Sequence, residues 1–350
     1  MTQDAVNRRA MNVEEATSQA VTFHNGLEFI ERNHGEDNWF LQIETFDPHE
    51  PFYTLPEDRA LYPHRFQGDD DREADWPLYT RVTEDPDTVE LVRSHYAALL
   101  TKCDRYLGKV LDMMDRYGLW EDTMLIVNTD HGFLLGEHGW WGKSAMPVYE
   151  EIAHIPLYVY DPRCPQYAGE RRHALTQTID LAPTLLEYFG VEVPKDMEGR
   201  SLRQVIEEDS PIRHYAVYNG YFGSQINITD GRYVYMHSAE KPNAPLYEYT
   251  LMPMHMRGMF SVEELKGAEL AGPFSFTKDL KILKIPGRPV NGNSNAFGSI
   301  LYDLEGDTAE NLMDREPERL KAMREYLYDC MVKNDAPPET FERMGLRAKA

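Results

Sequence analysis

The sequence feature that most constrains the fold is a helical repeat that is followed closely by a buried strand. Apolar and aromatic residues recur at spacings of four and three from Val92 to Tyr117, and Gly118 follows them. This repeat predicts an amphipathic helix of about seven turns. Residues 123–127 and 155–160 are short, solidly apolar runs, which are typical of strands covered on both faces. Helices that alternate with such strands predict an α/β domain with a mainly parallel sheet flanked by helices.

Four further segments are predicted from the same kinds of signal. Residues 16–30 repeat apolar positions with helical spacing, and residues 39–43 form a short apolar run of strand character. Residues 180–190 begin with an aspartate suited to a helix N-cap and end with a glycine, which predicts another helix. Residues 56–87 are acidic and contain several prolines, which predicts a long excursion on the surface.

The character of the sequence changes after residue 202. Short runs of aromatic and β-branched residues now lie between glycine turns, a pattern typical of antiparallel strands: 215–218, 232–236 and 299–302. We therefore predict an α/β domain at 1–210, a small C-terminal antiparallel α+β subdomain at 211–332 that ends in a helix, and a polar tail at 333–350.

Charge and cysteine content exclude several classes of protein. Lysine and arginine total 36 against 59 aspartates and glutamates, a net charge of −23, which repels nucleic-acid phosphates and anionic lipid over most of the surface. Cys103, Cys164 and Cys330 are too few and too widely spaced for a disulfide framework or a Cys-x-x-Cys metal site. No apolar run is long enough to span a bilayer. The first residues lack the apolar core of a secretory signal, which predicts a cytoplasmic chain.

The most informative stretch for function follows the strand predicted at 123–127. Asp130 and His131 come at the carboxyl end of that strand, where open α/β sheets bind their ligands. Lys143 follows a glycine-rich loop, and its long cationic side chain suits an anionic group. The structural alternative is that Asp130 caps a turn while His131 and Lys143 are ordinary loop and surface residues.

Two more histidines are candidates for the same site. His49 lies in the loop Asp-Pro-His-Glu-Pro at 47–51, where prolines on both sides restrict the backbone. Because the loop follows the strand predicted at 39–43, it would open on the same edge of a parallel sheet as Asp130. His138, beside Trp140 and Trp141, would line a pocket for a sugar or an aromatic group, although ordinary packing explains the tryptophans equally well.

Taken in order, these motifs resemble the type I sulfatases of the alkaline-phosphatase superfamily. Thr-Asp-His-Gly at 129–132, Gly-Glu-His-Gly at 136–139 and Gly-Lys at 142–143 are similar to the second signature region of that family. Its Pro-His-x-Pro loop and its later landmarks resemble residues 46–52, 180–186, 199–202, 301–307 and 310–312. The Asp-His pair is similar to that of iduronate-2-sulfatase-like members.

The resemblance implies hydrolysis of sulfate esters, either aryl or carbohydrate sulfates, by an enzyme that uses a divalent cation. By this resemblance Asp130 and His131 would be ligands of Ca²⁺; the carboxylate also suits Mg²⁺, and the histidine leaves Mn²⁺ or Zn²⁺ open. Lys143 and His49 would be the catalytic residues, in contact with the sulfate and the departing oxygen, and His138 would join them in binding substrate. The implied partner is a sulfated small molecule or glycan.

One departure from the family pattern limits these expectations. The Cys/Ser-x-Pro/Ala-x-Arg motif that supplies the nucleophile is absent from the 350 residues, and so are the paired aspartates of the first strand. We interpret the chain as a C-terminal part of a sulfatase that is inactive alone, and we expect it to associate as a homo-oligomer through an exposed sheet edge. The alternatives are a phosphodiesterase or phosphonate hydrolase of the same superfamily, and a non-catalytic module that binds sulfated glycans or another subunit.

Overall fold

The long helix predicted from the repeat at 92–117 is present in the computed structural model and spans Pro86–Tyr117. The Asp85 side chain accepts hydrogen bonds from the first amides of the helix, and Gly118 ends it with a φ of 67° in the left-handed region. The structure describes residues 3–66, 72–255, 258–289, 296–306 and 310–346. Part of the predicted acidic excursion, residues 67–71, lies outside these ranges.

The chain divides into two compact units. The first unit comprises residues 1–143 and 151–169, and the second comprises residues 144–150 and 170–350. This division differs from the boundary predicted after residue 210, because residues that follow 169 bond within the second unit. Arg172 Nε donates to the carbonyl of Val205 at 2.9 Å, and Gln177 Nε2 donates to that of Val217 at 3.0 Å.

The first unit is built mainly from helices, with two small pairs of strands. Its helices are α1 (Gln3–Ala10), α2 (Ser18–Asn33), α3 (Pro56–Arg59), α4 (Pro86–Tyr117) and α5 (Glu150–Ala153), the last of which begins in the second unit. Its strands are β1 (Leu125–Asn128), β2 (Leu134–Leu135), β3 (Trp141–Gly142) and β4 (Leu157–Tyr160).

Mixed helix and sheet content agrees with the predicted α/β class, but the direction of the strands differs from the prediction. The pair β1–β4 is antiparallel, with Leu125 opposite Tyr160, and β2 and β3 are antiparallel as well. The strand predicted at 39–43 is irregular. Its alternate apolar side chains, Trp39, Leu41 and Ile43, pack instead on the core between α2 and α4. Without that strand, the expected mainly parallel sheet does not form among the described residues.

The acidic excursion predicted at 56–87 is less exposed than expected. Asp58 and Asp75 are buried because arginines neutralise them: Arg105 Nη1 donates to Asp58 at 2.8 Å, and Arg8 pairs with Asp75 at 2.5 Å. Burial of paired charges is tolerated where lone charges are not. The excursion therefore carries structural residues of the first unit.

The second unit contains the predicted antiparallel sheet. Its four strands lie in the order β13–β7–β6–β5, and every neighbouring pair is antiparallel. These strands are β5 (Ala216–Asn219), β6 (Ile226–Thr229), β7 (Tyr233–His237) and β13 (Ile300–Asp303). Smaller antiparallel sheets contain β8 (Tyr247–Thr250), β9 (Met254–His255), β10 (Gly258–Met259), β11 (Glu269–Ala271) and β12 (Ile282–Pro286).

The helices of the second unit correct the predicted tail at 333–350. Met344 and Leu346 are buried in a core cluster with Leu327 and Met331, because residues 338–344 form a helix that turns back onto the preceding one. Residues 347–350 lie outside the described ranges. The helices are α6 (Leu181–Tyr188), α7 (Arg203–Glu208), α8 (Val262–Leu265), α9 (Pro317–Lys333) and α10 (Pro338–Met344).

Buried His237 makes the stability of the second unit depend on pH. Its Nδ1 accepts from the Tyr235 hydroxyl and its Nε2 donates to the carbonyl of Met344, each at 2.7 Å. Burial lowers the pKa of His237 to about 4.

Because this pKa lies below the unfolded value of 6.5, the contribution of His237 to the free energy of unfolding is complete above pH 6.5. That free energy is expected to fall by about 3 kcal/mol as the pH approaches 4. Urea unfolding between pH 7.5 and 4.5 should show this loss, and His237→Gln should flatten the profile. Identical profiles for the two proteins would contradict the assignment.

No helix in the described ranges combines the length and the apolar composition that crossing a membrane requires.

Candidate active site

The carboxyl end of β1 places Asp130 and His131 next to each other. The backbone amide of His131 donates to Asp130 Oδ1 at 2.9 Å, and His131 Nε2 lies 3.3 Å from Asp130 Oδ2. His131 Nδ1 donates to the carbonyl of Gly132 at 3.0 Å, which leaves Nε2 as the nitrogen with a free lone pair when the ring is neutral. The Asp130 side chain is 80% exposed, so it is available to a ligand.

Gly132 fixes the path of the chain directly after this pair. Its amide donates to the carbonyl of Ile152 at 2.9 Å. A Cβ at this position would lie 1.8 Å from the carbonyl oxygen of Glu151, so only glycine permits the approach. The contact holds the end of β1 against the segment at 151–152.

A hairpin of β2 and β3 brings the chain back to Lys143. Trp141 is fully buried, and its indole Nε1 donates to Glu84 at 2.9 Å. Gly142 has a φ of 102°, and a Cβ there would lie 2.6 Å from the ring of Tyr79. Both constraints fix the backbone of β3, so Lys143 leaves the hairpin in a defined direction.

The proline loop at 47–51 holds His49 through several contacts. The His49 amide donates to the carbonyl of Phe46 at 3.0 Å, and the two rings pack with centroids 4.4 Å apart. His49 Nδ1 donates to the carbonyl of Glu50 at 2.6 Å. Because a carbonyl only accepts, Nδ1 carries a proton and Nε2 is the nitrogen that can meet a ligand.

The carboxylate of Glu50 lies close to both His49 and Lys143. Its side chain is only 3% exposed, and its Oε1 accepts a hydrogen bond from the Tyr79 hydroxyl. Its Oε2 lies 3.7 Å from Lys143 Nζ and 3.4 Å from His49 Nδ1. A buried carboxylate thus lies beside the two side chains that the sequence nominated as catalytic residues.

The electrostatic environment of Lys143 brings Asp130 into the same cluster. Burial lowers the pKa of Lys143, while the charges of Glu50 and Asp130 partly offset that effect. Lys143 is 14% exposed. We call Glu50, His49, Lys143 and Asp130 the oxyanion cluster, because it holds an ammonium and an imidazole beside a buried carboxylate.

His138 has a different carboxylate partner. Its Nε2 lies 3.2 Å and 3.1 Å from the two carboxylate oxygens of Glu151. Its backbone is in the left-handed region with a φ of 54°, and its carbonyl accepts from Arg81 at 3.3 Å. The guanidinium of Arg81 in turn covers the ring of Trp140 at 4.2 Å. The role of His138 in substrate binding therefore stays a prediction.

A second buried ion pair connects the proline loop to helix α4. Lys102 Nζ of α4 lies 3.5 Å from Asp47 Oδ2, with side-chain exposures of 4% and 14%. Burial raises the pKa of Asp47, and the Lys102 charge opposes that shift. The first residue of the loop is therefore tied to the long helix.

The residues present supply only part of a divalent-cation site. Calcium takes about six to eight oxygen ligands, and magnesium requires about six. Among the described residues, no group of three or more histidine, cysteine, aspartate or glutamate side chains is arranged to hold a metal. Asp130 and His131 are neighbouring donors, but two donors alone do not fit a calcium cage.

Three members of this neighbourhood were not predicted from the sequence. The sequence signal for Glu50 is an acidic residue that lies between two prolines and beside a candidate histidine. Tyr79 lies in the excursion predicted to be surface, and Lys102 is buried although it is not one of the apolar positions of the α4 repeat. No local pattern in the sequence indicates these two.

Comparison with known proteins gives consistent matches. A family model described as Sulfatase matches residues 2–191, and one described as N-sulphoglucosamine sulphohydrolase, C-terminal, matches residues 136–266. The multifunctional alkaline phosphatase superfamily protein PehA of Trinickia caryophylli is 30% identical in a match of 198 positions that covers 49% of this chain and 38% of that protein. The N-acetylglucosamine-6-O-sulfatase of Bacteroides thetaiotaomicron is 38% identical over 114 residues, 33% of this chain and 20% of that protein. The chain thus spans well under half the length of these curated relatives.

Solved structures resemble most of the chain at low identity. A protein in complex with its substrate D-glucosamine-2-N,6-O-disulfate matches with a TM-score of 0.64 and 17% identity, over 92% of this chain and 71% of that one. The phosphonate monoester hydrolase from Silicibacter pomeroyi matches with a TM-score of 0.60 and 20% identity, over 91% of this chain and 61% of that one. These matches confirm the predicted alkaline-phosphatase/sulfatase-like fold.

Proposed function

The chain belongs to the sulfatase family, and from this membership we propose that the protein hydrolyses sulfate esters of small molecules or glycans. The observation that supports the proposal most directly is the pairing of Lys143 and His49 around the buried Glu50. A fixed cation and a fixed ring nitrogen lower the barrier when they face a group that gains charge in the transition state.

Each residue of the oxyanion cluster has a proposed part in this reaction. Lys143, held by β3 and Glu50, would bind the non-bridging sulfate oxygens through its ammonium. His49 presents Nε2, because Nδ1 is bonded to the Glu50 carbonyl. Because Nδ1 already carries a proton, His49 would act as an acid in its imidazolium form: the second proton, on Nε2, would pass to the departing oxygen as the S–O bond breaks and leave the ring neutral. His138 would contact the remainder of the substrate from its position beside Glu151.

We propose that the reaction also requires a divalent cation, calcium, which when bound would polarise the sulfate as a Lewis acid. Asp130 and His131 are the two ligands that this chain would supply. Because the described residues provide no third ligand in a common cluster, we derive no step of the reaction through the metal.

The chain as given is proposed to bind the oxyanion without turning it over. None of its three cysteines lies in a Cys-x-Pro-x-Arg motif, and burial raises the pKa of Cys103 to about 11, which leaves an unreactive thiol at neutral pH.

Purified 1–350 tests this proposal in two measurements with phenyl sulfate. Titration followed by NMR is expected to shift the Lys143 side-chain and His49 ring signals, and ion chromatography is expected to detect no released sulfate. Absence of binding would refute the proposed site, whereas robust release of sulfate would show that the chain does contain a working nucleophile.

A phosphonate monoester or phosphodiester is the second candidate substrate. It is favoured by the similarity to the Silicibacter pomeroyi phosphonate monoester hydrolase and by the shape of its ester group, which is a tetrahedral oxyanion like a sulfate ester. Titration with phenyl methyl phosphate would compare the two classes directly.

A further inference from the structure

The second unit contains a polar cavity of its own, and none of the residues that line it belongs to the oxyanion cluster. The cavity has a volume of about 250 Å³. One water molecule needs only about 10–15 Å³, so the cavity can hold a small ligand of several atoms. The polar residues of its wall come from the end of β7, the loop that follows, the residue before β13 and helix α9: His237, Ser238, Glu240, Lys241, Ser299 and Arg324.

The buried part of this wall is already hydrogen-bonded. His237, only 3% exposed, bonds through one ring nitrogen to the Tyr235 hydroxyl and through the other to the Met344 carbonyl. The amide of Ser238 donates to Ser299 Oγ at 3.1 Å. Because these groups satisfy one another, the wall keeps its shape without a ligand, and a preformed wall binds a ligand without the cost of ordering its own side chains.

Arg324 of α9 brings a guanidinium to the cavity. Its Nη2 donates to the Gly345 carbonyl at 3.4 Å, and no carboxylate among the described residues forms an ion pair with it. By contrast, Arg319 on the same helix is paired with Asp230 at 2.8 Å. Since a guanidinium has five N–H donors arranged as a fork, Arg324 keeps donors for an oxyanion, two of whose oxygens match the fork.

A second guanidinium without a carboxylate partner is bonded to the same wall. The carbonyl of Arg343 accepts from the amide of Glu240 at 2.8 Å. Arg343 is only 7% exposed, and its Nη1 donates at 2.9 Å to the neutral side chain of Asn243. Within the described ranges it forms no ion pair, and burial lowers its pKa. A buried charge without a counter-ion is costly, so an anion bound at this wall offsets part of that cost.

The charges around the cavity favour an anion with two negative charges. Arg324, Lys241 and Arg343 are cations, whereas Glu240 contributes one carboxylate. His237 is neutral: its pKa is about 4, mainly because of burial, and the charges of the two arginines lower it further. Three positive charges against one negative charge leave an excess of two, in a chain whose net charge is −23. This local excess attracts anions that the rest of the surface repels.

We propose that this cavity is an anion-binding site of the second unit, which takes a doubly charged tetrahedral oxyanion such as inorganic sulfate or hydrogen phosphate. Arg324 holds two oxygens of the ion through its fork of donors, and Lys241 supplies a further positive charge. The bound ion joins α9 to the loop after β7, so its binding stabilises the second unit. The site takes no part in the ester hydrolysis proposed above, and the inference does not depend on that function.

Titration of the chain 1–350 with sodium sulfate, followed by NMR, tests this site. Sodium chloride keeps the ionic strength constant, and every protein carries Lys143→Gln so that sulfate bound at the oxyanion cluster is not counted. The signals of the His237 ring and of Arg324 Nε–H are expected to shift to a plateau, and the melting temperature is expected to rise. Methyl sulfate, which is tetrahedral but singly charged, should bind about fivefold more weakly.

Three variants in this background identify the charges that bind the ion. Arg324→Gln should weaken sulfate binding by about ten- to a hundredfold. Glu240→Gln should strengthen it by about two- to fivefold, because it removes the carboxylate from the lining. Lys333→Gln removes a positive charge from the end of the same helix, where Nζ pairs with Glu198 at 2.6 Å, and should leave the affinity within about twofold of the parent.

Several results would overturn the proposal. They are sulfate that leaves the His237 and Arg324 signals unmoved, shifts that sodium chloride alone reproduces, methyl sulfate that binds as tightly as sulfate, and equal losses in Arg324→Gln and Lys333→Gln. If Arg324→Gln does not fold, Glu240→Gln decides, since unchanged or weaker sulfate binding in that variant contradicts the charge balance. The phenyl sulfate experiments on Lys143 and His49 test the proposed function separately.

Discussion

Replacement of Lys143 by glutamine is expected to weaken the binding of phenyl sulfate to the chain by about ten- to a hundredfold. A hydrogen bond to a charged group contributes about 1.5–3 kcal/mol, which corresponds to this range of affinity at about 1.4 kcal/mol per factor of ten. The substitution removes the ammonium that lies 3.7 Å from Glu50, so the remaining carboxylates would repel the ligand. Isothermal titration at low ionic strength measures the loss.

The control for this experiment is Lys109→Gln. Lys109 is an exposed lysine of the same unit whose ammonium lies 4.2 Å from the ring centroid of Tyr106, and it belongs to the framework rather than to the oxyanion cluster. Equal losses for the two variants would show that the anion senses only the general charge of the chain. In that case Lys143 would lose its proposed role.

Replacement of Lys102 by methionine is expected to destabilise the first unit by about 3 kcal/mol. Removing one member of a buried ion pair leaves the other charge uncompensated, which typically costs about 3–5 kcal/mol. Asp47 is 14% exposed, so we take the lower end of the range. Burial already raises the pKa of Asp47, and loss of Lys102 would raise it further.

The pH dependence of this effect identifies its cause. In Lys102→Met the cost should shrink as the pH falls and Asp47 becomes protonated, because a neutral carboxylic acid is less costly to bury. The double variant Asp47→Asn/Lys102→Met should recover most of the loss, since it removes both charges. Urea unfolding at pH 7.5 and pH 5 provides the comparison. A double variant no more stable than the single one would assign the effect to packing instead of charge.

The elements that the sequence predicted correctly are those with a long or regular pattern. The helix at 86–117 follows from its repeat and its terminal glycine, and the strand at 125–128 follows from its apolar run. The run at 39–43 has the same local appearance as a strand, but its partners are the side chains of α2 and α4, and the sequence alone does not show which partner an apolar run will find.

The candidate site was only partly accessible from the sequence for the same reason. Asp130, His131 and Lys143 stand out because they surround a glycine-rich loop next to a strand. The direction of the Glu50 carboxylate depends instead on the Tyr79 hydroxyl, which comes from a distant, acidic part of the chain. Buried pairs such as Asp47–Lys102 depend in the same way on how α4 packs beneath the loop.

A crystal structure of the chain soaked with phenyl sulfate would test most directly whether Lys143, His49 and Glu50 form one binding site. We expect the sulfate at the end of β1, with one oxygen about 2.8–3.2 Å from Lys143 Nζ and another within hydrogen-bond distance of His49 Nε2. Glu50 should stay beneath the two nitrogen atoms. Sulfate bound elsewhere, with Lys143 and His49 turned away from each other, would contradict the account.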